Sequence, residues 1–290
     1  MEALGRLGFV GTGKITSAVV DGLFYTRCPP VAPIVVSPRG SRATDLLNRH
    51  GPERVAIAFS NQAVLDASDT VFLALRPPDA IAALKKLRFR PSHLCVSLMH
   101  GISPAAIAAA ASGCEDSSIV RVNPLPACAT RDGITAMCPP HPAVSALFRE
   151  LGSVYEVETM DELHVLHSAS CLMGPIFKLM QTGAKWTAAA AAERGGRIAE
   201  AAADRYMQDL LSSVAAEASK DTRHGFTSLV AQQTRGGLNE NNIARLTQAG
   251  VFDAAADALC ATLRDLRAAN LQSECSDQEC CVDPQEARRF

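Results

Sequence analysis

The sequence predicts an α/β protein in two parts: an N-terminal Rossmann-type parallel sheet over residues 1–160, then a C-terminal all-helical dimerisation domain over 161–270. Three observations carry that expectation. Short, near-continuous apolar runs alternate with helical patterns through the first half, as strands buried on both faces require. A glycine turn, Gly11-Thr12-Gly13, follows the first of those runs and opens a helical pattern. From Asp161 to Ala269 strand patterns vanish, and Ala, Glu, Arg, Leu and Met, all strong helix formers, dominate.

The strand candidates come in order. Residues 7–10 end in the glycine turn, and 15–24 carry apolar residues at helical spacing. Strands are then expected at 33–36, 55–59, 70–75, 94–98 and 119–122, with helical crossovers between them. In the second half, 186–218 reads as one long helix, and its alanines at 188–192 form a small-residue face for close packing. A helix of that length needs another surface to cover it, and a second subunit is a common source, so a homodimer or higher homo-oligomer is expected. Residues 271–290 are polar and read as a disordered tail.

Composition narrows the partners. The 290 residues are 48% apolar and 20% charged, with a formal net charge of −2, so no basic field draws nucleic acid or an anionic membrane. No apolar run approaches the roughly 20 residues that span a bilayer. Residues 1–6 lack the pattern of a secretory signal, and a cytoplasmic protein acting on a small molecule is the expectation. Of ten cysteines, seven are scattered singly, and several of these sit in apolar stretches and read as small buried apolar residues. Cys275, Cys280 and Cys281 crowd the tail without metal-ligand spacing, so no metal is expected.

The glycine turn is the most informative stretch. From Gly11 it reads GxGxx and then Thr16, where the dinucleotide fingerprint has a third glycine. Glycine permits a tight turn and close approach of the backbone to a pyrophosphate, and the following helix N-terminus offers free N–H groups. Gly8 to Lys14 also fits GxxxxGK, but Ile15 stands where a triphosphatase loop needs Ser or Thr for magnesium. After the second strand comes Ser37-Pro38-Arg39-Gly40-Ser41-Arg42, with no acid before Asp45. Hydroxyls and arginines there suit a 2′-phosphate, so NADPH is the expected cofactor.

These motifs, taken with several others in order, resemble the pyrroline-5-carboxylate reductase family over most of residues 6–268. The stretch from Leu7 to Ile15 resembles its GFIGAGNMG opening. Ser60-Asn61 matches an Asn near the adenosine, and Val71 to Pro77 resembles VFLAVKP. Val96 to Ile102 resembles VSIAAGI, and Arg121-Val122-Asn123-Pro124 resembles RVMP. Gly174-Pro175 falls where the family has SGSGP, and Gln233 to Asn239 where it has TSPGGTT. Three departures lie at the substrate end: Cys171-Leu172-Met173, Leu125-Pro126-Ala127 and Leu238-Asn239.

The resemblance implies NADPH-dependent reduction of a C=N bond in a cyclic imine, as in proline biosynthesis, with the substrate possibly changed. It implies a cofactor set of Gly11, Thr12, Gly13, Lys14, Ile15, Ser37, Arg39, Asn61, Leu75, Arg76 and Pro77. Thr234 and Asn239 are expected in catalysis, with Gly236, Gly237, Cys171 and Met173 binding substrate. The N–H groups from Thr234 to Asn239 precede a helix pattern beginning near Glu240 and are expected to hold an anion. His100 ends a strand on the edge where ligands bind in open α/β sheets, and is a further catalytic candidate. Two other functions fit the same architecture. One is a β-hydroxyacid dehydrogenase, with Lys178 or Lys185 as proton donor; the other is a non-catalytic NADPH sensor.

Overall fold

The computed structural model describes residues 4–220 and 225–275. The chain divides into two compact units, one running to His167 and resumed from Leu263, the other spanning Ser168–Thr262. In the first, strand and helix alternate: β1 (Leu7–Val10), α1 (Lys14–Phe24), β2 (Ile34–Val36), α2 (Ser41–His50), β3 (Val55–Ile57) and α3 (Asn61–Asp66). There follow β4 (Thr70–Leu73), α4 (Pro77–Leu84), β5 (Leu94–Ser97), α5 (Pro104–Ala110) and β6 (Ile119–Pro124). Then β7 (Gly133–Cys138), α6 (Pro142–Arg149) and β8 (Gly152–Glu156) close an eight-stranded sheet of order β3-β2-β1-β4-β5-β6-β7-β8. Strands β1 to β6 are mutually parallel, β7 is antiparallel to β6, and β8 is parallel to β7.

Period-two alternation feeds a separate core on each face of the sheet. Leu7, Phe9 and Phe72 point to one face with Val19, Leu23 and Phe148, and Val10, Val71 and Leu73 point to the other with Leu65, Leu84 and Ile107. Phe9 and Phe72 are register partners on adjacent strands and stack at 4.4 Å. The order reverses at β1 and β4, so the sheet has its topological switch point there.

The sequence reading missed β7 and β8. β7 is reached through a 3-10 turn, Pro126–Thr130, and reads Gly-Ile-Thr-Ala-Met-Cys, where Gly133 and Thr135 break up the apolar run. β8 lies at the sheet edge with its side chains largely in solvent, so its pattern is polar.

Next come α7 (Met160–Ser170), α8 (Met173–Glu193), α9 (Glu200–Lys220), α10 (Gly225–Ala231), α11 (Leu238–Gln248) and α12 (Val251–Cys275). The expected single helix over 186–218 is two, α8 and α9. The chain turns at Gly195, whose φ of 70° no helix interior accepts. The first five residues of the expected tail, 271–275, are helical, because α12 continues to Cys275. Asn270 Nδ2 lies 2.8 Å from His164 Nε2, tying that last part of the helix to α7. Cys280 and Cys281 lie outside the described residues.

Candidate functional site

The C-terminal edge of the sheet carries a groove of about 840 Å³ lined by the segments that leave four strands. After β1 come Gly11, Thr12 and Gly13; after β2, Ser37, Pro38 and Arg39; after β3, Phe59 to Gln62; after β4, Ala74 to Arg76. One face of α4, with Ala82 and Ala83, closes the side together with Lys86 just past the helix.

The turn after β1 is held from three directions. Gly11 has φ of 100°, and a Cβ there would stand 2.4 Å from the Ala74 carbonyl oxygen, so glycine is required for both conformation and space. Its N–H donates to Ser37 Oγ at 2.7 Å, and Thr12 Oγ1 donates to the Ser37 carbonyl at 2.9 Å. Thr16, standing where the fingerprint has its third glycine, is fully buried and donates its hydroxyl to the Gly11 carbonyl at 2.7 Å. Gly13 caps α1 with no side chain, no acid follows in the first turn, and a Cβ at Gly13 would meet nothing within 4 Å. The result is an open cradle of backbone over a helix N-terminus, the geometry that a phosphate needs. Gly8 sits inside β1, paired with Val35 and Val71, which removes it from any triphosphatase loop.

Of the residues expected at the cofactor, Gly11, Thr12, Gly13, Ser37, Arg39, Asn61, Leu75 and Arg76 line this groove. Three do not. Ile15 packs against the core, Lys14 is an exposed residue of α1, and Pro77 is the first residue of α4 with its neighbour Pro78 on the groove. Ser37 is placed differently from expectation: its hydroxyl is buried and accepts from Gly11, so it braces the turn instead of facing outward. Arg76 is paired with Asp79 at 2.8 Å. Sequence reasoning missed Phe59 and Lys86. Phe59 is 91% exposed, an unusual state for a phenylalanine, and its position two residues past β3 was the available signal.

His100 lies one strand beyond Leu75 and Arg76, on the exposed turn after β5. Its ring meets that of His167 edge-on, with centroids 6.3 Å apart and planes at 87°. Burial, with the facing His100 and with Arg121 and His164, pushes His167 down to about 4. Arg121, 4% exposed, donates from Nη1 to Ser97 Oγ at 3.0 Å and to the Ile102 carbonyl at 3.1 Å.

The remaining expected residues belong to the helical unit. Cys171 and Met173 are exposed at the start of α8. α11 starts at Leu238, two residues ahead of expectation, with Gly237 as its cap. The Gly237 N–H donates to the Thr234 carbonyl at 2.8 Å, and Asn239 Nδ2 donates to Gln233 Oε1 at 3.1 Å. The Gly236 N–H donates to Glu240 Oε2 at 2.6 Å. The turn expected to hold an external anion therefore carries the chain's own carboxylate, the position an acid favours at a helix N-terminus.

A family profile described as "NADP oxidoreductase coenzyme F420-dependent" matches residues 6–101, from the strand before the glycine turn to the turn that bears His100. Pyrroline-5-carboxylate reductase 1 of Bacillus subtilis is 29% identical over 123 residues, which is 41% of this chain and 40% of that protein. The chain thus aligns with less than half the length of that relative. A pyrroline carboxylate reductase from Plasmodium falciparum, solved with NADP bound, superposes with a TM-score of 0.74 at 16% identity, covering 93% of this chain and 99% of its own. A reductive aminase from Aspergillus terreus, solved with NADPH4, cyclohexanone and allyl amine, gives 0.51 at 15% identity over 91% and 92% of the two chains. At those identities the solved structures speak to fold.

The sheet, its switch point and the glycine cradle define a Rossmann-type dinucleotide-binding architecture. In its N-terminal part the chain is similar in sequence to pyrroline-5-carboxylate reductases, and over its whole length it shares the fold of solved members of that group.

Proposed function

We propose that this protein uses NADPH to reduce the carbon–nitrogen double bond of a cyclic imine, as a cytoplasmic homo-oligomer. The carrying observation is the groove itself, where the Gly11–Gly13 cradle, the exposed Arg39 and the turn at Leu75-Arg76 lie along one sheet edge across the switch point. The residues fit the cofactor. The cradle leaves backbone N–H groups for the pyrophosphate, and Arg39 stands after β2, where a 2′-phosphate would be met and an acid is absent. Once bound, the dihydronicotinamide supplies hydride. The protein's part is to orient the imine, exclude water and manage one proton.

The substrate we propose lacks the carboxylate of pyrroline-5-carboxylate. Cys171 and Met173 offer apolar bulk where the family has a Ser-Gly-Ser turn, and Glu240 already occupies the Gly236 N–H. A carboxylate brought to such surroundings would lose hydrogen bonds and meet a like charge, a cost of several kcal/mol.

Steady-state kinetics with NADPH on pyrroline-5-carboxylate, its 2-carboxylate isomer, piperideine carboxylates and uncharged cyclic imines test the reading. The highest kcat/KM is expected for an uncharged imine, with pyrroline-5-carboxylate at least about 100-fold lower, since two or more lost contacts weigh about 3 kcal/mol. A value near 10⁴ M⁻¹s⁻¹ for pyrroline-5-carboxylate, above all others, would make this a proline-making enzyme. NADPH binding without turnover of any imine would favour the sensor. Turnover of a hydroxy acid would favour the dehydrogenase, although Lys178 is engaged by Gln181 at 2.8 Å.

A further inference from the structure

The loops along the C-terminal edge run in a fixed order: Phe59-Asn61 after β3, Arg39 after β2, Gly11–Gly13 after β1, Leu75-Arg76 after β4, and Met99-His100-Gly101 after β5. Adjacent strands are about 4.8 Å apart. A dinucleotide with its pyrophosphate at β1 and its adenosine toward β2 and β3 extends its other end over β4 and β5. His100 belongs to the last turn of that series.

This turn is built to hold a side chain in place. Arg121 reaches up from β6, fully inside the protein, and bonds Ser97 at one end of the turn and Ile102 at the other. Gly101, at φ 66°, passes close to Ala269 of α12, where a Cβ would meet the alanine Cβ at 3.2 Å. The His100 ring rests against the edge of the His167 ring on α7. The charged and titratable groups gathered behind the pair are Arg121 and His164, with Asp161 and Arg267 paired at 3.0 Å beside them. Where the resembled segment VSIAAGI carries alanine, this chain carries His100.

We propose that His100 is the proton donor of the reaction, delivering a ring proton to the substrate nitrogen, with His167 as the ring that seats it. The inference rests on the imine-reductase reading. In the step, an imidazolium N–H bond of His100 breaks and a substrate N–H bond forms, converting imine to iminium. The imidazole is left neutral and recovers its proton from solvent, to which His100 is exposed. The iminium carbon is then a better hydride acceptor than the imine carbon, which is the reason for placing an acid there.

Two substrates that differ in their need for a proton separate this role from a structural one. One is a weakly basic, aryl-substituted cyclic imine; the other is the same ring N-methylated, a permanent iminium. Wild-type protein and H100Q are compared on both with NADPH. H100Q should lose about 100-fold or more in kcat on the imine, the usual weight of a general acid, and less than about threefold on the iminium. Equal losses on both substrates, or no loss on either, would overturn the proposal and leave the imine-reductase reading standing. Wild-type protein that binds NADPH and reduces neither substrate would remove both.

A second readout needs no turnover. By NMR of the ligand-free protein, the His167 ring of H100Q should titrate above its value of about 4, because the facing ring that helps hold it down, second to burial, has been removed. An unmoved His167 titration would show that the two rings do not sense each other, and would overturn the pairing.

Discussion

The sheet unit and the helical unit treat their apolar residues in opposite ways. The first buries Phe9, Phe72 and Phe148 completely, together with nearly every apolar residue of its central strands. In Ser168–Thr262, among the described residues, only Ala184 and Ala203 count as buried apolar side chains, while Trp186 is 70% exposed and Phe177, Tyr206, Phe226 and Leu238 stand open as well. A sheet covered by helices on both faces is a finished hydrophobic object. Helices that present Trp, Phe and Leu outward on this scale are not, because exposed apolar area of that extent marks a surface meant to be covered. The difference teaches that the groove on the sheet edge is formed by one unit's own packing, and that the helical half leaves exposed the apolar residues that the proposed homo-oligomer would cover.

The harshest way to break the first half of that comparison is Gly11→Val. The substitution places a branched side chain at φ 100° and against the Ala74 carbonyl. Left-handed strain adds about 1–2 kcal/mol and overpacking about 1–3 more, so a destabilisation of about 2–5 kcal/mol is expected in chemical denaturation, with NADPH binding lost. A change under about 1 kcal/mol would mean that the turn is not clamped against the end of β4.

For the helical half, Trp186→Glu is the counterpart. If a second copy covers α8, a charge there should weaken assembly by about 2–4 kcal/mol, the scale of a buried aromatic anchor. Light scattering should find the wild type dimeric or larger at micromolar concentration and the variant shifted toward monomer. A wild-type monomer under those conditions would refute the interface and leave the exposed helices unexplained.

How far the sequence revealed all this follows the same divide. Strands β1 to β6 were legible because burial on both faces writes an unmistakable apolar run, as in Thr70–Leu73. Strand β8 was not, because an edge strand such as Gly152–Glu156 needs little apolar content. The glycine cradle was legible because Gly11 and Gly13 are chosen by local backbone geometry. Phe59 and Lys86 were not, since only the tertiary arrangement of α3 and α4 brings them to the groove. The pairing of His100 with His167 spans 67 positions and has no local trace. The carboxylate of Glu240 on the Gly236 N–H is local, yet the same turn reads equally well as an anion site until the bond is seen.

Cofactor choice sharpens the sheet unit further. Arg39→Ala should weaken NADPH by about tenfold or more, the loss of one charge-assisted bond of roughly 1.5–3 kcal/mol, while NADH is unaffected because it lacks the 2′-phosphate. Fluorescence titration of both cofactors decides it. Parallel losses would remove Arg39 from the 2′-phosphate.

Acid should loosen the same unit. His167 is held near 4 in the fold against an ordinary 6.5, and His93 and His164 are lowered too, each chiefly by burial. The unfolded chain then binds protons that the folded chain refuses. Stability from these groups is complete above pH about 6.5 and declines as pH falls toward 4. For His167, partly open to solvent, roughly 2 kcal/mol remains after allowing for screening. Denaturation midpoints between pH 7 and pH 4.5 measure it, and flat stability across that window would contradict the buried, neutral histidine.

The smallest effect makes the finest comparison, because it sets one bond type in both units. Thr16 and Thr182 each send a hydroxyl back to a backbone carbonyl, Thr16 to Gly11 at 2.7 Å and Thr182 to Lys178 at 2.9 Å. The first bond is within the core beneath the glycine turn, and the second is on the exposed side of α8. Valine keeps the shape and removes the donor. At position 16 the Gly11 carbonyl loses a partner that solvent cannot replace, so about 1 kcal/mol should go, and NADPH affinity should fall with it as the turn slackens. At position 182 water takes over, and the change should stay within about 0.5 kcal/mol with no effect on the cofactor. Equal costs at the two positions would mean that the exposed face of α8 is covered after all, with Thr182 inside the contact; no cost at either would mean that Thr16 fills the place of the third glycine by bulk alone and does not lock the turn.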